Sequence, residues 1–201
     1  MTSGERRLAE RLEHKLDDDT LLWWDVPIGP KQTRPDFVVL HPRRGALILE
    51  TKDWHLQTIR KATREYFEIQ DSHSGYIKPV KNPLQQARHC AIQVVNALER
   101  DQQLIHGEGP HQGKLAFPWG SGVVFANIER QRITDPHWDE FFPHETTLTR
   151  EDLAEDLDPA VFQERLWGMF TVEFRLKTAL TLPQRDRIRW HLFPEIRITS
   201  E

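Results

Sequence analysis

The chain has 201 residues, 29% charged and 38% hydrophobic, which suits one globular domain with a sizeable core, or a domain with an appendage. A net charge of −4 and a pI near 6.2 are not those of a strongly basic nucleic-acid-binding fold, and no apolar run approaches the ~20 residues of a membrane-spanning helix. The N-terminus lacks the apolar segment of a signal peptide, and the single cysteine, Cys90, leaves no internal disulfide, so the cytoplasm is the default expectation.

Residues 3–16 read as a helix, with Ser3 as N-cap and Leu8, Leu12 and Leu16 on one face. Asp17 to Asp19 lack the glycine and distal glutamate of a calcium loop and read as a solvated turn. Residues 21–28 read as a strand closed by Gly29-Pro30. Two apolar runs then flank His41-Pro42-Arg43-Arg44-Gly45, whose turn chemistry predicts a β-hairpin. Residues 56–59 and 65–70 read as short strands, and 71–75 as a turn. Asn82 and Pro83 open a helix as N-cap and first residue, and its apolar spacing runs to about Gln103. After a loop at 106–113, residues 120–127 read as a strand buried on both faces. Residues 149–157 start with a capping-box-like Thr149-to-Asp152 spacing, and 159–177 and 183–193 read as helices. The order predicts an α/β domain with a mixed sheet.

The hairpin carries the chemistry. Asp36 stands at the head of the first run, and Glu50 and Lys52 lie two residues apart at the end of the second. Alternation puts Glu50 and Lys52 on one side of the strand, and cross-strand pairing brings Asp36 towards them. Two carboxylates and an ammonium at a strand end suit a divalent metal and a water, the needs of metal-assisted phosphodiester cleavage. The bland alternative is a surface ion pair. The run from Ala46 to Leu49 argues against it, because charge beside a strand buried on both faces must be paired or metal-bound. Basic residues also gather around the hairpin: Lys31, Arg34, Arg43, Arg44, Lys52, Arg60, Lys61 and Arg64. Local field rather than net charge decides phosphate binding.

Gly4-Glu5, Asp36, Glu50-Thr51-Lys52-Asp53-Trp54, Asn82-Pro83-Leu84-Gln85-Gln86 and the later Gly122-Val123-Val124-Phe125 together resemble the nuclease-related domain (NERD) family of the PD-(D/E)xK nuclease superfamily, over roughly residues 3–128. The resemblance implies a restriction-endonuclease-like core at 1–128, its mixed central sheet flanked by helices, with a mostly helical extension at 129–201 packed on it. It implies a metal-dependent deoxyribonuclease in which Asp36, Glu50 and the Thr51 carbonyl hold Mg²⁺ or Mn²⁺. Lys52 would orient the attacking water or stabilise phosphate charge, Glu5 would complete the shell through water, and Gln86 would position. Lys31, Arg34 and Arg60 are the expected DNA contacts. Where the family often has a second acidic residue near the first, this chain has Pro35-Asp36-Phe37.

Some family members carry the domain ahead of a superfamily 1 helicase, and the closing His191-to-Ile198 run resembles that junction. A helicase domain in the same full-length chain is thus an expected partner. Two readings stand beside the nuclease: a nuclease-fold module that binds DNA or a partner without cutting, and a structural domain of a larger machine. Asp135, His137, Asp139 and His144 lack the spacing of a zinc site. Trp119, Trp138, Phe141 and Phe142 are read as packing anchors before base-stacking groups. The apolar faces of the late helices, at Val161, Phe162, Leu166, Phe170 and Phe174, are expected to pack on the sheet.

Overall fold

The computed structural model describes residues 1–29, 32–170, 176 and 178–193. The first helix, α1 (Ser3–Lys15), is capped by Thr2 rather than Ser3. Thr2 and Glu5 form a reciprocal capping box: the Glu5 N–H donates to Thr2 Oγ1 at 3.3 Å and the Thr2 N–H donates to Glu5 Oε2 at 2.9 Å. Strand β1 (Leu21–Trp24) ends earlier than its apolar pattern suggests, because Asp25 turns the chain with φ of +49°. The predicted hairpin is present as β2 (Phe37–His41) and β3 (Gly45–Lys52), antiparallel, with Phe37 opposite Leu49 and His41 opposite Gly45. Gly45 has φ of +107°, and a Cβ there would stand 2.0 Å from the Pro118 carbonyl oxygen. Only glycine fits that corner.

Residues Leu56–Thr58 form a 3₁₀ turn rather than a strand, followed by β4 (Ile59–Ala62) and β5 (Tyr66–Gln70). Strand β6 (Ile77–Lys81), absent from the sequence reading, completes a small antiparallel sheet of order β4-β5-β6. Its Pro79 is tolerated because β6 is an outer strand. Helix α2 (Pro83–Leu98) begins at the predicted Asn82 cap but stops short of Gln103. Beyond it the Asp101 side chain is buried, accepting hydrogen bonds from Arg187 at 2.5 Å and from His191 at 2.9 Å. Strand β7 (Trp119–Phe125) follows, then β8 (Thr147–Leu148), a 3₁₀ turn at Arg150–Leu153 where a longer helix was expected, α3 (Pro159–Trp167) and α4 (Leu182–Leu192). Phe174 and residues 194–198 of the closing run lie outside the described residues.

The main sheet has the order β1-β2-β3-β7-β8, antiparallel through β3 and parallel from β3 to β8. Alternation sorts its side chains onto two cores. Val38, Leu40, Ala46 and Ile48 meet Ala91, Val94 and Leu98 of α2 and Ile188 and Leu192 of α4. Phe37, Val39, Leu47 and Leu49 meet Leu8 and Leu12 of α1 and Phe162 and Leu166 of α3. The sheet therefore covers the α3 face as expected, although Val161 points to solvent. The small sheet supplies Ile59, Phe67 and Ile69 to a third cluster with Phe125 and Phe142. A mixed sheet flanked by helices on both faces, with further helices at the C-terminal end, is a restriction-endonuclease-like α/β fold. No helix among the described residues is long and apolar enough to cross a membrane.

The hairpin corner makes a stability prediction. Gly45→Ala should destabilise the protein by about 3 kcal/mol in urea unfolding, combining a left-handed φ with a backbone clash. Gly109→Ala, also at positive φ but with nothing within 4 Å of a built Cβ, should cost only about 1 kcal/mol. Equal losses at the two positions would show that the Pro118 contact is unimportant.

Candidate active site

Strand β3 is flanked on both sides by hydrogen-bonded partners, so its C-terminal end emerges from the middle of the sheet. Continuing the β2–β3 register one residue past the Phe37–Leu49 pair sets Asp36 opposite Glu50. Directly opposed residues project to the same face, so the two carboxylates converge rather than diverge. The Thr51 N–H donates to Asp36 Oδ2 at 2.6 Å, which fixes that carboxylate against the end of β3.

Glu50 is 2% exposed. Its Oε1 accepts from Lys52 Nζ at 2.6 Å and from the Gln86 side-chain amide, and Lys52 also donates to Gln86 Oε1 at 3.3 Å. This closed triangle leaves Glu50 Oε2 buried and without a hydrogen-bond partner among the described residues. Gln86 reaches the site because the Asn82 cap and Pro83 start α2 one turn before it; Asn82 Oδ1 accepts from the Leu84 N–H at 2.9 Å. Glu5 arrives from the other side. Helix α1 approaches so closely that a Cβ on Gly4 would stand 2.0 Å from Asp53 Oδ1 and 2.7 Å from Ala126 Cβ. Glycine at this point lets the next residue, Glu5, bring its charge within range of both site carboxylates.

The electrostatics follow from that crowding. Burial pushes the Glu50 carboxyl up to about 7, with the Lys52 ammonium opposing and the charges of Asp36 and Glu5 reinforcing the rise. Burial also raises Asp36, against the Thr51 hydrogen bond and Lys52. One ammonium thus faces three carboxylates. Cys90, one turn beyond Gln86 on α2, feels the same field: burial and the negative charge of Glu50 and Asp36 hold its thiol up at about 11. It is an inert, small buried residue, as its lone occurrence suggests.

These residues fit a hard divalent cation. The unpartnered Glu50 oxygen, the converging Asp36 carboxylate and the surplus of negative charge are what such an ion would relieve. Among the described residues no three His, Cys, Asp or Glu side chains form a ready-made metal cage. Of the Asp135, His137, Asp139 and His144 set, His137 Nδ1 lies 2.7 Å from Asp135, whereas His144 Nδ1 lies 3.1 Å from Arg165.

The expected DNA contacts fare differently. Lys31 lies outside the described residues. The Arg34 guanidinium donates to the Asp25 carbonyl at 2.9 Å, and the Asp25 N–H donates to the Asp36 carbonyl, so Arg34 sits on a turn bound to the site. Arg60 belongs to β4 of the small sheet and bonds Gln70 rather than any of the site residues. Trp54 is a packing residue, 5.6 Å from Phe67 and 6.2 Å from Phe125 between ring centres. Trp138 stacks on Phe142 at 5.5 Å and Phe141 packs edge-on against Phe67, so both serve the core. Asp53, part of the Glu50-to-Trp54 motif but given no role by it, has a buried Oδ1 without a hydrogen-bond partner among the described residues, and Trp24, which carried no sequence signal, reaches Glu5 with its indole.

Glu50 also sets a pH dependence. Its folded pKa lies above the ordinary glutamate value, so between about 4.5 and 7 the folded state holds the extra proton. Its contribution to stability is therefore full below that window and is lost as pH rises through it. In metal-free buffer, Glu50→Gln should gain in melting temperature relative to the parent as pH goes from 5 to 8. A pH-independent difference between the two would contradict the assignment.

Comparison with known proteins adds one match. The nuclease-related domain (NERD) family matches residues 2–126, more than half the chain, which includes β1 to β7, α1, α2 and every site residue named above. No curated protein and no solved structure matches the chain. By that match, and with the Asp36, Glu50-x-Lys52 and Gln86 side chains gathered at one strand end, the chain belongs to the nuclease-related domain family.

Proposed function

We propose that the chain is a divalent-metal-dependent nuclease that hydrolyses DNA phosphodiester bonds, acting in DNA processing or repair. The observation that carries this reading is the half-satisfied Glu50 carboxylate. One oxygen is clamped by Lys52 and Gln86 while the other is buried and has no partner among the described residues. A structural ion pair would satisfy both oxygens, since a buried charged atom without a partner costs several kcal/mol.

Asp36, Glu50 and the Thr51 carbonyl would hold Mg²⁺ or Mn²⁺. When bound, the ion supplies Lewis acidity towards a phosphate oxygen and the attacking water. The chain's own residues do the rest. Gln86 fixes Glu50 so that its second oxygen keeps one direction. Lys52 has three donors; Glu50 and Gln86 take two, leaving one for a water or a phosphate oxygen. Its 2.6 Å bond to Glu50 keeps the ammonium in place without a flexible search, so it can orient a nucleophile or neutralise charge gathering on phosphorus. Glu5, bonded to the Thr2 N–H and near both site carboxylates, would hold a water at the rim. The Asp25-bound Arg34 would meet the DNA backbone beside the site.

Cleavage of labelled single- and double-stranded DNA tests the reading. The parent should cut with Mg²⁺ or Mn²⁺ and stop with chelator. Lys52→Ala, Glu50→Ala and Asp36→Ala should each lose about 100-fold or more, and Gln86→Ala about 10-fold. DNA binding without metal-dependent cutting would instead favour a non-cleaving module. Asp36→Ala cutting as well as the parent would remove the metal assignment.

A further inference from the structure

Trp24 ends β1, an outer strand of the main sheet, and is 40% exposed. An indole so open to water on a sheet next to a charged site is unexplained by the core. Its position is closely held. Trp24 pairs with Phe37, the residue after Asp36, and the following residue, Asp25, turns with φ of +49° and donates its N–H to the Asp36 carbonyl at 3.1 Å. On the helix side the indole Nε1 donates to Glu5 Oε2 at 3.4 Å. The ring, on the face of the sheet that Phe37 shares with α1, is thus tethered to the Glu5 carboxylate through its edge, and the next residue along the chain ties this end of β1 to the Asp36 backbone. Arg34, with half its side chain exposed, stands on the same turn with its guanidinium 3.3 Å from the Asp25 carboxylate. Trp119, Trp138 and Phe141 pack partly buried against the core and Phe142 lies within it.

We infer that Trp24 is a stacking platform for an unpaired nucleobase flanking the phosphate at Asp36, Glu50 and Lys52, and that single-stranded nucleic acid is the preferred substrate. The inference rests on the nuclease reading for where the phosphate lies. Every base has a π face, so such a platform is tolerant of sequence. Within a duplex those faces are already covered by neighbouring bases, so the ring rewards only strands whose bases are free. A rigid indole also fixes the nucleotide's position at low entropic cost, which sets the register of the adjacent phosphate.

Fluorescence anisotropy in Ca²⁺ with a labelled oligothymidylate, an abasic oligomer of the same length and charge, and a blunt duplex tests this. The parent should bind the oligothymidylate about 10-fold tighter than the abasic oligomer. It should also favour the oligothymidylate over the duplex. Trp24→Phe should keep most of the gap, and Trp24→Leu, which preserves apolar bulk without a π face, should abolish it. A gap unchanged in Trp24→Leu, or no gap in the parent, overturns the inference. The comparison of oligomers on the parent needs no variant, so a folding defect does not blunt it. A parent that shows the gap yet never cleaves loses the nuclease reading and keeps the platform.

Discussion

Burial of the Glu50 carboxylate on β3 is the constraint around which the rest of the site is arranged. The strand is paired on both edges and covered on both faces, so a charge at its end cannot escape to water. Desolvation of this kind drives a carboxylate towards its neutral form unless positive charge or donors compensate. Lys52 and Gln86 compensate at one oxygen only, and Asp36 and Glu5 make the deficit worse. A fold built for stability alone would place a leucine here. Holding a destabilised anion in a fixed direction makes sense as preparation for a cation.

The architecture brings the supporting groups by two helix starts. Helix α2 begins with the Asn82 cap and Pro83, which turns Gln86 onto Glu50 within the first turns. Helix α1 begins with the Thr2–Glu5 capping box and lies against Asp53 and Ala126 at the one residue, Gly4, that has no side chain to obstruct it. Relocating either helix by one residue would exchange the site's polar groups for others, since the faces of a helix change every residue.

The hairpin was legible from sequence because its logic is local. A short turn between two apolar runs fixes the register, and the period of two fixes the faces, so Asp36, Glu50 and Lys52 could be placed together without tertiary knowledge. The Asn82 cap was legible for the same reason. Gln86 bonds Glu50 across 36 residues, and Glu5 lies still further from it along the chain; no local rule connects them, and only the family-like motif did so. Trp24 was invisible because an aromatic residue in an apolar run reads as core, and its exposure is decided by where β1 ends. Element ends moved where side chains intervened: Asp25 cut β1 short, the turn at Asp101 stopped α2, and Pro79 disguised an outer strand as loop.

We propose that Asp36 and Glu50 together form a cation site, and that Glu50 is not simply the acidic half of a buried ion pair with Lys52. Titration of Mn²⁺ into the protein, followed by loss of the free-ion paramagnetic resonance signal, tests it without reference to any substrate. The parent should bind Mn²⁺ competitively with Mg²⁺, and Asp36→Asn and Glu50→Gln should each abolish or greatly weaken binding while Arg60→Ala leaves it intact. Binding that survives both carboxylate substitutions, or none in the folded parent, would show that Asp36 and Glu50 hold no cation.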